Sequence, residues 1–100
     1  MTFMDLLRAL LPKTLRRHGL EQQAESALIC YQAERWYADH LPAVAQSLRS
    51  TVFRDGVLQV ECETSIAAQE LRLHEAALLA ALQESVPGTR ITGLRISRAN

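Results

Sequence analysis

Cysteine is scarce in this chain of 100 residues, and neither Cys30 nor Cys62 has a second Cys or a His beside it at metal-ligand spacing. No metal site or cofactor is therefore expected, and both residues read as buried reduced thiols, Cys30 in a helical stretch and Cys62 on the apolar side of a strand. Glycine is scarce as well: the four at 19, 56, 88 and 93 fall at turns or in the last strand, which excludes a Gly-rich phosphate loop. No apolar run approaches the roughly 20 residues that span a bilayer. Nor is there a secretory leader, because Met1 opens an amphipathic segment carrying Asp5 and Arg8. These absences set the expectation of a soluble cytoplasmic protein with no membrane partner.

Net charge is also missing, since the cations and acids balance to zero. Any binding to phosphate must then come from how charge is distributed. Lysine is nearly absent, with only Lys13 beside ten Arg, while the acids gather on the middle helix and the second strand. Arg favours bidentate phosphate and carboxylate contacts, although genomic base composition produces the same bias. The length suits one domain with one shared core, and it is too short for a cleft between two lobes.

What is present is a change of hydrophobic period. From Val57 to Ile96 the pattern runs from alternation (Leu58, Val60, Cys62) to a helical stripe (Leu71, His74, Leu78, Ala81, Leu82) and back to alternation (Leu94, Ile96). That is strand, helix, strand in a compact α+β unit. Asp55-Gly56 separates Leu48–Arg54 from the second strand and predicts a β-hairpin, because both centres of a type I′ turn need positive φ. Ser65 is the expected cap of the following helix, and Val86-Pro87-Gly88 ends it.

Upstream, Phe3, Leu6, Leu7, Leu10, Leu11 and Leu15 recur at helical spacing, predicting a helix from about Phe3 to His18 that is kinked near Pro12 and closed by Gly19. A second helix is predicted from about Glu21 to His40, with Ala24, Ala27, Leu28, Tyr31, Arg35 and Ala38 on one face and Pro42 beyond its end. The expected order is α-α-β-β-α-β.

Catalytic chemistry finds little support in the spacing. His18 sits in a basic helix end, His40 before a Pro and His74 in an apolar stripe, so none is placed against a nucleophile. Glu61 and Glu63 share one side of a strand whose other side is apolar, and they read as a solvated face. The basic residues offer more. Lys13, Arg16 and Arg17 lie close on the first helix, and Arg90, Arg95 and Arg98 mark the last strand, so convergence of the two groups would give a phosphate-tracking stripe. Among the aromatics, Trp36 is expected in the core and Tyr37 as the exposed ring, a candidate partner contact. The first strand has neither Pro nor Lys to blunt its edge, which leaves a protein-interaction or homodimer module without nucleic-acid binding as the alternative.

Gly19-Leu20, Trp36, the stretch from Arg54 to Glu61, Thr64-Ser65, the helix with Ala68, Gln69, Glu70 and Leu71, and the close from Ile91 to Arg98 together resemble the DciA family. Its members are bacterial proteins that recruit or load the replicative DNA helicase. The resemblance covers nearly the whole chain. It implies a KH-like fold and a replicative-helicase partner; taken with the basic groups and the lack of catalytic spacing, the expectation is a single non-enzymatic domain over residues 1–100 that also binds single-stranded or forked DNA weakly. A KH clamp uses a G-x-x-G loop, which this sequence lacks, so the fold need not bring that binding mode. Two departures stand out. The family tends to carry Gly five residues after the Trp, and His and Pro before the hairpin, where this chain has Leu41, Ser47 and Ser50. Family loaders also commonly add a flexible tail, whereas this sequence stops at Asn100, and the expectation is a domain that binds without loading.

Overall fold

The computed structural model describes residues 20–99, so the predicted helix from Phe3 to His18 lies outside the described residues. Helix α1 (Leu20–His40) leads through a 3-10 turn (Ala45–Ser47) into strands β1 (Leu48–Arg54) and β2 (Val57–Cys62). Helices α2 (Ser65–Leu73) and α3 (Glu75–Ser85) and strand β3 (Gly93–Arg98) follow. The chain is a mixed α+β fold in which three helices cover one face of a three-stranded sheet ordered β1-β2-β3. β1 runs antiparallel to β2, and β3 runs parallel to it.

The helix read as one piece after Ser65 is two. His74 donates Nδ1–H to the Glu70 carbonyl at 2.9 Å, and its backbone amide points at the same oxygen at 3.2 Å. A side chain competing for the i−4 acceptor disrupts the ladder, and His74 takes φ −109° and ψ 12° at the break. The buried positions divide accordingly into Ala67 and Leu71 on α2 and Leu78 and Leu82 on α3. The N-cap also differs from the expected Ser65. Thr64 is the extended residue, and its hydroxyl accepts from the Ala67 amide at 3.1 Å.

The hairpin forms as the turn chemistry predicts, with Asp55 at φ 54° and Gly56 at φ 83°. In β1 the two buried residues, Leu48 and Phe53, are five apart, an odd separation that strict alternation would place on opposite faces. A bulge between Ser50 and Val52 restores the parity, and Thr51 donates its hydroxyl to the Gln59 carbonyl at 3.2 Å. Phe53 thereby sits opposite Leu58 on the core side.

On α1 the buried stripe is Leu28, Ile29, Ala33 and Tyr37, continued past the helix end by Leu41. This corrects the predicted face and the predicted exposed ring. Tyr37 is 0% exposed, with its hydroxyl 3.1 Å from that of Ser50, whereas Tyr31 is 55% exposed. The stripe Ile29, Ala33, Tyr37 rises in steps of four residues toward the sheet, and on that face Tyr37 meets a strand hydroxyl. Burial drives its phenol pKa well above the ordinary value, partly offset by the Ser50 hydrogen bond. Trp36 is half-buried against the core and stacks on His40 at 4.6 Å.

The edge of β1 is not open. Its outward amides at Leu48, Ser50 and Phe53 are met by the Ala45 carbonyl, the Glu34 carboxylate (3.0 Å) and the Ser26 hydroxyl (2.9 Å). Two α1 side chains therefore occupy the positions another strand would take, and the expected docking edge is closed.

Candidate nucleic-acid and partner surfaces

Leu58, Val60 and Cys62 of β2 are fully buried beneath the helices, so the alternate residues define the opposite, uncovered face. Register places Arg49, Arg54, Val57, Gln59, Glu61, Gly93, Arg95 and Ser97 there. Arg54 and Arg95 come from strands two apart, about 10 Å across the sheet. The sequence reading missed Arg49 and Arg54, because it grouped cations by proximity along the chain. Exposed positions alternating with Leu48 and Phe53 were the available signal, obscured by the bulge.

Within the second predicted basic group, Arg90, Arg95 and Arg98 lie apart from one another. Arg90 lies in the loop before β3, where Gln83 donates to the Thr89 carbonyl at 2.6 Å and accepts the Ile91 amide at 3.1 Å. The Gly56 carbonyl holds the same loop by accepting from the Thr92 amide (2.7 Å) and hydroxyl (3.1 Å) and the Gly93 amide. So anchored, Arg90 joins Arg54, Gln22, Gln23 and Thr51 along a groove of about 790 Å³ beside the N-terminal half of α1. Arg95 projects from the open sheet face. Arg98 lies on the other face and donates to the Ser65 hydroxyl at 2.6 Å, beside the start of α2. Lys13, Arg16 and Arg17 lie outside the described residues.

Other candidate chemistry is dispersed. His40 donates to the Trp36 carbonyl at 3.2 Å, and His74 is committed to Glu70. Among the described residues no cluster of three or more His, Cys, Asp or Glu could hold a metal ion. Burial pushes both thiols up from their ordinary pKa, with Arg72 and Arg98 partly opposing this at Cys62. Neither is poised as a nucleophile. Ile66 and Leu73, 68% and 71% exposed, stand two helical turns apart on α2 as isolated apolar contacts. Among the described residues no helix is long and apolar enough to cross a membrane.

The profile of the family described as Dna[CI] antecedent, DciA, matches residues 6–96, nearly the entire chain. The chain belongs to the DciA family. This bears out the resemblance carried by Trp36, the Asp55-Gly56 hairpin and the Gln69-Glu70-Leu71 helix, and it places the protein among bacterial DNA-replication proteins with a helicase-loader-like role. No curated protein matches the chain. The match begins at residue 6 and so includes Lys13, Arg16 and Arg17.

Proposed function

We propose that this chain is a single KH-like, non-enzymatic accessory domain of bacterial DNA replication, acting in the cytoplasm, that contacts the replicative DNA helicase and weakly binds single-stranded or forked DNA. The observation that carries this reading is the DciA-family match over residues 6–96. The helix-backed sheet, with a parallel third strand after a helical crossover, is compatible with a KH-like domain. Phosphate contact is assigned to Lys13, Arg16 and Arg17, with Arg90, Arg95 and Arg98 as a second group. Because no G-x-x-G loop brings the backbone against phosphates, these contacts are made by long side chains and do not read sequence.

Helicase contact is tested by size-exclusion chromatography of the chain with its cognate helicase hexamer. Co-elution is expected, and separate elution at micromolar concentrations would count against it. DNA contact is tested by fluorescence anisotropy of a labelled fork. Six phosphate contacts to single-stranded DNA imply about a 300-fold loss of affinity between 50 and 200 mM salt. Arg16→Ala with Arg17→Ala should flatten that salt slope by about 1.4. An unchanged slope removes Arg16 and Arg17 from the DNA surface.

A further inference from the structure

We propose that β3 takes up an extended acidic segment of another protein as a fourth strand of the sheet. The register of β3 on β2, with the Gly93 amide on the Gly56 carbonyl and the Ala99 amide on the Cys62 carbonyl, commits the odd-numbered residues of β3 to the β2 ladder. The amides and carbonyls of Leu94, Ile96 and Arg98 therefore point away from the sheet, and no described residue meets them. At the other edge every corresponding amide is answered from α1 or the 3-10 turn. Among the described residues, one edge of the sheet is closed and its opposite is left as a template for main-chain pairing.

Charge selects the occupant. From Val86 to Asn100 the sequence carries Arg90, Arg95 and Arg98 and no acid. A second copy pairing antiparallel through its own β3 would set two cations per strand against two more with no acid on either strand, and like charges across a pair are unfavourable. An acidic strand meets Arg95 on the open face and Arg98 on the helical side. This inference goes beyond the helicase and DNA reading, and it stands on the edge geometry and the charge of β3.

The test is amide hydrogen exchange followed by NMR on the full chain. The probe is a capped peptide of alternating Glu and Val that matches the six residues of β3, and its Lys-Val counterpart is the control. In the chain alone, Arg95 and Ser97 should exchange slowly and Leu94, Ile96 and Arg98 quickly. The acidic peptide should slow those three by at least about tenfold while the basic peptide does not. Ile96→Pro removes one outward donor without touching the β2 ladder and should abolish the effect. If that variant fails to fold, the exchange pattern of the unaltered chain still decides. Slow exchange at the three amides before peptide is added means the chain covers its own edge, and protection that grows with chain concentration means a second copy occupies it. Either result overturns the proposal, as does peptide binding that leaves the three amides unprotected, or no binding.

Discussion

Ser26 and Glu34 close the β1 edge, and removing both by Ser26→Ala and Glu34→Ala should destabilise the protein by a calculable amount. The Ser26–Phe53 bond is neutral and contributes about 1 kcal/mol, while the Glu34–Ser50 bond is charge-assisted but half-exposed and contributes about 1.5 kcal/mol. Alanine's better helix propensity offsets about 0.5 kcal/mol at each position. The net loss is about 1.5 kcal/mol. At about 4–8 °C per kcal/mol for a domain of this size, the melting temperature should fall by about 6–12 °C. The two sites are eight residues apart on one helix, about 12 Å, so the single variants should add. Thermal unfolding followed by circular dichroism reads the shift, and sedimentation at two concentrations reads any pairing through the exposed edge. A double variant with an unchanged melting temperature would falsify the claim that these side chains hold the edge.

Gly56→Ala should cost about 2 kcal/mol in urea unfolding, because its φ of 83° disfavours a side chain and the new Cβ would lie 2.7 Å from the Thr92 hydroxyl. Gly88→Ala, with open space around it, should fall between neutral and a gain of about 1 kcal/mol, and equal losses at both sites would contradict the turn analysis. Alkaline stability should fall as pH rises above about 10, by at most about 1.4 kcal/mol per pH unit, because the unfolded chain releases the Tyr37 proton before the folded chain does. Tyr37→Phe should remove that part of the slope while costing about 1 kcal/mol at neutral pH, and a slope unaltered by the change would place its origin elsewhere.

Local chemistry was legible where local chemistry decides. Asp55-Gly56 specifies its own turn, and Leu58, Val60 and Cys62 alternate because β2 is central and covered on one side. The features that escaped depend on distant partners. Phe53 faces inward only because the bulge at Thr51 shifts the parity, and nothing in the run of Thr, Val and Phe signals it. Tyr37 and Tyr31 are both plausible core residues on a helix with apolar groups on several sides, and the Ser50 hydroxyl on the covered face of β1 favours Tyr37. Thr64 and Ser65 are equally good caps by composition, and the extended backbone at Thr64 decides between them. Proximity along the chain grouped Arg95 with Arg98, yet strand alternation puts them on opposite faces, and pairing brings Arg54 and Arg90 to one groove.

The membership and the proposed role meet in one measurement: how quickly the cognate replicative helicase starts unwinding a forked DNA, with and without this chain, at physiological salt. A faster start that depends on chain concentration and weakens in the Arg16→Ala and Arg17→Ala variant is the expected result. An unwinding time course unaltered at saturating chain would contradict a helicase-accessory function.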